Sequence, residues 1–167
     1  MKIKREALVD EYITEALLQL MKKKPFKDIS ITEICERAGV TRMSFYRNFE
    51  SKEDILYKKV RAVTNAFLKE SGISYRKNTT EQYFVTLFTH MKKQKDLCLA
   101  LYQAGLIHFV KEEFDRGFIE IYRGVYDDYK SYFLAGGVYN AFLLWMMNGY
   151  KESPKEVALK MKDMLEK

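Results

Sequence analysis

Proline is scarce in this chain, and its scarcity is the first constraint on the fold. Only Pro25 and Pro154 interrupt the 167 residues, so helices can run unbroken almost everywhere, and an all-α protein is expected. Cysteine is limited to Cys35 and Cys98. Two isolated thiols among apolar helical neighbours make no zinc or redox spacing, and both read as reduced core thiols. The two histidines, His90 and His108, read as satisfied helical groups rather than ligands. No signal peptide and no long apolar run is apparent, which points to a cytoplasmic protein with no membrane partner. Phosphate-cradling glycine loops, metal-ligand helix motifs and nucleophile turns are missing too. Glu112-Glu113 beside His108 reads as a solvated charge cluster, so an enzyme is not expected, nor a cofactor or metal.

Basic residues are in excess. Lys and Arg number 29 against 23 Asp and Glu, a net charge of +6. The first 61 residues hold 14 basic and 10 acidic side chains, and the remaining 106 hold 15 and 13. The surplus lies mainly at the N-terminal end, where binding to a polyanion would use it through counterion release.

The most informative segment is ISITEICERAGVTRMSFYRNFESKEDIL, residues 29–56. Ser30 followed by Glu33 forms a capping box that starts a helix over Ile31–Ala38. Gly39 can adopt a left-handed conformation, ends that helix and swings the chain into a second, shorter one. Ser51 with Asp54 repeats the cap for a third. On the middle helix Phe45 and Phe49 share a face and can pack on Ile34 and Ala38. Arg42, Met43, Ser44, Tyr46 and Arg47 then point outward. A solvated helix face has no need of tyrosine and methionine, whereas a DNA major groove accepts this set. Arginine bridges the two acceptors of guanine, serine or a methionine methyl meets other base edges, and Tyr46 can reach a phosphate oxygen. The pattern is a helix-turn-helix.

Around AGVTRMSFYRNFESKEDIL the chain resembles the TetR family of transcriptional regulators, with Gly39, Val40, Ser44, Phe45, Tyr46, Phe49, Lys52 and Leu56 in the family's register. An amphipathic helix Arg5–Met21 precedes them at the family's distance. By resemblance, Arg42, Met43 and Ser44 would face bases, while Thr32, Tyr46, Arg47, Asn48 and Lys52 would hold phosphates. Met43 departs from the family, where this position is more often small, so the base preference of other members does not transfer.

Punctuation organises the whole chain into about nine helices. Helix one is expected near Lys4–Lys23, with Leu8, Tyr12, Leu17 and Met21 at helical spacing. A connecting helix near Lys52–Ser71 carries Ile55, Val60, Val63, Phe67 and Leu68 until Gly72 and the polar run Tyr75–Thr80. The resulting division is a helix-turn-helix domain over 1–50, a connecting helix over 51–71 and a helical regulatory and dimerisation domain over 72–167. Within the last, a box at Thr79 and Gln82 opens a helix to about Lys93, followed by helices near Asp96–Phe109, Lys111–Tyr122 and Asp127–Met147. A final helix opens at Ser153-Pro154-Lys155-Glu156.

Two features of that domain concern partners. Tyr132, Phe133, Gly136, Tyr139, Asn140, Leu143, Leu144 and Met147 make a stripe too wide for one small core, and Val157, Met161, Met164 and Leu165 share a face of the last helix. Gly136-Gly137 in mid-helix costs roughly 1 kcal/mol per glycine, which makes sense where two backbones approach closely, either within the subunit or across a homodimer interface. The expected interface is Gly136, Gly137, Tyr139, Asn140, Leu143, Val157, Met161 and Met164, and TetR relatives pair such helices into a four-helix bundle. A two-fold pair would read a palindromic operator in double-stranded DNA.

Tyr83, Phe84, Leu87, Phe88, Met91, Leu101, Tyr102, Leu106, Phe109 and Phe114 form an aromatic wall that reads either as core or as a pocket lining. Resemblance implies a pocket for a small apolar or aromatic effector whose binding releases a repressor from DNA. The alternative is a DNA-bound coactivator or nucleoid-associated module controlled by a protein partner.

Overall fold

The computed structural model describes residues 2–72 and 80–165. Among these residues the protein is helical, with nine α-helices and no strand. The helices are α1 (Lys2–Met21), α2 (Ile31–Ala38), α3 (Arg42–Asn48), α4 (Lys52–Ser71), α5 (Thr80–Lys93), α6 (Lys95–Gln103), α7 (His108–Tyr122), α8 (Asp128–Met147) and α9 (Pro154–Leu165), with a short 3₁₀ turn at Phe26–Asp28. The Thr79 cap expected for α5 lies outside the described residues.

The chain divides into two compact units, Met1–Ala62 with Leu97–Ile107, and Val63–Asp96 with His108–Lys167. This partition differs from the one drawn at residues 50 and 71. Punctuation marks where helices stop, whereas a compact unit depends on which faces pack together, and here the division runs through α4.

In the first unit α1 lies across α2 and α3. Ile13, Ala16 and Leu17 of α1 are buried with Ile34, Phe45, Phe49, Ile55 and Leu56. Leu8 and Tyr12, expected inside by their spacing, are exposed instead, because Ile13, Ala16 and Leu17 occupy the inward stripe at the same period. The turns are set by caps. Ser30 Oγ accepts from the Glu33 amide while Glu33 accepts from the Ser30 amide, and Gly39 takes φ 67° with Val40 N–H donating back to Cys35 O at 3.0 Å, a Schellman closure.

In the second unit α5 packs along α9 and α7 along α8. The core is aromatic: Tyr83, Phe84, Phe88, Phe118, Tyr122, Phe142 and Trp145 are buried, and Tyr83 meets Phe84 and Phe118 edge-on at centroid separations of 5.1 and 6.0 Å. Glu113 corrects an expectation. It is buried rather than solvated, and Arg116 donates to it while reaching Asn65 at 2.7 Å, so the charge is held by a partner one helical turn away. A second correction concerns the helix expected over Asp96–Phe109. It ends at Gln103, where Gly105 at φ 73° and a Leu106-to-Leu101 hydrogen bond of 2.8 Å repeat the closure seen at Gly39.

Candidate nucleic-acid interface

The middle helix α3 is presented by its ends and anchored by its inner face. Thr41 supplies the N-cap, its hydroxyl accepting from the Ser44 amide at 3.1 Å, a cap that the sequence signals through a threonine three residues before Ser44. Phe45 and Phe49 are buried, with ring centroids 6.0 Å apart. Spacing of four residues fixes what is left outside. Met43 is 75% exposed and Tyr46 52%, and Arg42 and Arg47 are exposed with them. Tyr46 stands edge-on against Phe45 at 5.3 Å and lies beneath the Arg42 guanidinium, 6.0 Å from its centroid. Packing on Phe45 limits the tyrosine's rotamers, and the tyrosine steadies the arginine.

Three other residues expected at the interface, Ser44, Asn48 and Lys52, are engaged within the chain. Ser44 is half-buried, with its hydroxyl 3.1 Å from that of Thr41. Asn48 donates its amide to Ser44 O at 2.9 Å, and Lys58 donates to Asn48 O at 2.8 Å. Lys52 Nζ donates to Phe26 O, Ile29 O and Lys27 O at 2.8, 2.9 and 3.2 Å and lies 4.5 Å from the centre of the Phe26 ring. Thr32 is exposed in the first turn of α2, where free amides and the helix dipole favour an anion.

The electrostatics of the head centre on the capping box. Lys24 Nζ lies 2.5 Å from Glu33 Oε1. That bond, with those from Ser30, holds the Glu33 carboxyl down at about 2. Cys35 is buried within α2, and burial pushes its thiol up. Cys98 is pushed up to about 12 by the same cause. Neither thiol is a ready nucleophile. Among the described residues no group of three His, Cys, Asp or Glu could hold a metal, and no helix is long and apolar enough to cross a membrane.

The aromatic wall separates into parts. Tyr83, Phe84, Leu87, Phe88 and Met91 are buried in the second unit, Phe109 is half-buried there, and Leu101 and Tyr102 belong to the first unit, where Tyr102 is exposed. A half-open apolar groove of about 360 Å³ borders the wall at Phe84 in the second unit, lined by Phe84 of α5, by Phe133, Gly137, Leu144 and Trp145 of α8, and by Met161 and Met164 of α9. Of the residues expected at a dimer interface, Gly137, Asn140 and Met164 are exposed and Gly136 and Leu143 half-buried. Tyr139, Val157 and Met161 are buried, Tyr139 edge-on against Phe114 at 5.7 Å. Phe133, Leu144 and Met147 are 77, 61 and 64% exposed.

A capped helix-turn-helix anchored on buried phenylalanines, followed by a helical domain, defines a helix-turn-helix regulator. Residues 13–57 match the family model for bacterial regulatory proteins of the tetR family, and residues 78–167 match that for a transcriptional regulator C-terminal region. The chain belongs to the TetR family of transcriptional regulators, which implies DNA-binding regulation and dimerisation. An uncharacterized HTH-type transcriptional regulator, YdgC of Bacillus subtilis, is 32% identical over 81 residues. That match takes in 43% of this chain and 42% of the relative, less than half the length of each. The fold is similar to a TetR transcriptional regulator from Streptococcus agalactiae, with TM-score 0.71 and 19% identity over 98% of this chain and 96% of the other. It is also similar to a putative transcriptional regulator from Pseudomonas aeruginosa, with TM-score 0.66 and 18% identity over 99% and 90%.

Proposed function

We propose that the protein is a homodimeric repressor that reads a palindromic operator through α3, with Arg42 and Met43 on base edges and Thr32, Tyr46 and Arg47 on phosphates. The observation that carries this reading is the outward set on a helix held by Phe45 and Phe49, with Met43 exposed to 75%. Ser44, half-buried against Thr41, is left a smaller share of base contact. Repression is the direction the resemblance implies.

Dimerisation is assigned to the outer face of α8 and to α9. A Cβ added to Gly136 or Gly137 would meet nothing within 4 Å, so packing within the chain gives no reason for either glycine, whereas close approach of a second backbone does. The adjoining groove is apolar and bordered by exposed Phe133, Leu144 and Met164, as a surface covered by a second copy would be.

Tight aromatic packing favours a second reading of control. Tyr83, Phe84 and Phe88 are buried against one another and their neighbours, which supports regulation through a protein contact over release by a small apolar effector. Selection of bound duplexes from a random DNA pool tests the whole reading. The expected result is a two-fold symmetric consensus that is lost with Arg42→Ala. Enrichment without symmetry would refute the dimeric palindrome reader, and release of the selected duplex by a panel of apolar compounds would restore the effector reading.

A further inference from the structure

We infer that Met43 reads the C5-methyl group of thymine, and that each half-site of the operator carries a thymine where this side chain meets the groove. The inference rests on the DNA-reading function of this head and names what one of its residues recognises. The exposed side chains of α3 are Arg42, Met43, Tyr46 and Arg47. The other three carry N–H or O–H donors, and Met43 carries none. At 75% it is also the most exposed methionine among the described residues. Its neighbours have contacts within the head. The Arg42 guanidinium lies 6.0 Å from the centre of the Tyr46 ring, Tyr46 stands edge-on to Phe45, and the Ser44 hydroxyl is 3.1 Å from that of Thr41. Met43 takes no part in these contacts. Its thioether tip lies largely in water and adds nothing to the core, so a surface that covers it gains by removing that apolar area from solvent.

Base chemistry narrows that surface. In the major groove guanine, cytosine and adenine present donors and acceptors, and thymine adds an apolar methyl at C5. A thioether has no donor and a sulfur that accepts only weakly. Laid on a polar edge, it displaces water without replacing the hydrogen bonds that water made. Laid on a methyl, it removes apolar area from water on both sides. Three rotatable bonds let the methionine tip adjust to the place of that methyl. Arg42 and Met43 are consecutive, with Cα atoms about 3.8 Å apart, close to the ~3.4 Å rise per base pair. The thymine is therefore expected within about two base pairs of the position whose preference Arg42→Ala relaxes. Two-fold symmetry repeats it in the other half-site.

Replacing that thymine by deoxyuridine in the duplex selected from the random pool deletes the methyl and leaves every hydrogen-bonding group in place. The wild type is expected to bind the deoxyuridine duplex about 4-fold less tightly with one half-site replaced, and about 15-fold less with both. Where cytosine stands in for the thymine, methylation at its C5 should strengthen binding by about the same 4-fold per half-site, because the methyl returns to the same edge of the groove. Met43→Ala and Met43→Gln should bind the thymine and deoxyuridine duplexes alike, whereas Met43→Leu should keep the preference. Each variant should melt with the wild type, since the replaced side chain is outside the core. The duplex comparisons on the wild type need no variant at all. A consensus with no thymine in that window, equal wild-type affinity for the two duplexes, or a preference that survives in Met43→Ala overturns the assignment and leaves the regulator reading standing. Wild-type binding without any consensus overturns both.

Discussion

At the scale of single residues, a side chain's type and the availability of its donors are separate facts. Arg42 and Arg47 are exposed, while Asn48 and Lys52, of equally suitable chemistry, have backbone partners already. The sequence carries the type of each residue. It does not carry the partner, because Lys52 finds its carbonyls 23 to 26 positions earlier in the chain. Glu33 shows the converse. Its box with Ser30 is local and legible at a spacing of three, but the 2.5 Å contact with Lys24 depends on how the turn at Pro25 brings the chain back. Together these bonds depress the Glu33 carboxyl from its ordinary 4.5 to about 2. A carboxylate that is easier to ionise folded than unfolded stabilises the fold above its unfolded pKa, and that contribution is lost as pH falls through the folded value. The stability difference between wild type and Glu33→Gln, measured by denaturant titration, should be full above about pH 4.5 and shrink steadily toward pH 2. A difference independent of pH over that window would show that the contacts do not discriminate the charged form.

At the scale of elements, helix ends are the most legible feature wherever a cap and a stop lie within one turn of sequence. The span Ile31–Ala38 follows from Ser30, Glu33 and Gly39, and the structure has those bounds. Gly39 tests the stop. It has φ 67° with nothing within 4 Å of an added Cβ, so the cost of a side chain there is conformational rather than steric crowding by neighbours. Gly39→Ala should destabilise the protein by about 1–2 kcal/mol, and Gly39→Asn by less, since asparagine tolerates the left-handed region. Equal losses in chemical denaturation would implicate an interaction other than backbone strain. The same Ala-Gly pair recurs at Ala104-Gly105, where the sequence reading carried a helix through to Phe109. There the apolar run Leu106, Ile107, Phe109 and Val110 continues past the glycine and hides the stop, whereas Thr41 and the short α3 follow Gly39 and reveal it. Buried faces are less legible still. Two helical stripes run along α1, and only the packing of α2 and α3 shows that Ile13, Ala16 and Leu17 form the inner one.

At the scale of the molecule, α8 is the element with two apolar sides. Leu134, Ala135, Val138, Phe142 and Trp145 are buried in the core, while Phe133, Leu144 and Met147 face outward with Gly137 between them. The sequence indicated a stripe too wide for one core, but it could not divide that stripe, and Tyr139 proved to be an inward residue packed on Phe114. The division has a direct consequence for the proposed dimer. Because Gly137 has open space around it, a larger side chain there leaves the subunit's own packing intact and replaces a residue that weakens a helix interior by about 1 kcal/mol. A glutamate on an interface between two copies would be desolvated and, by two-fold symmetry, brought toward its own counterpart. Gly137→Glu is therefore expected to retain helix content and melting by circular dichroism while sedimenting as a monomer at micromolar concentration. One reading head offers half of a palindrome's contacts, so operator affinity should fall far more than non-specific DNA affinity, which needs no paired half-sites. A variant that remains dimeric would place the interface on another face, and one that is monomeric yet binds its operator unchanged would remove dimerisation from the reading mechanism.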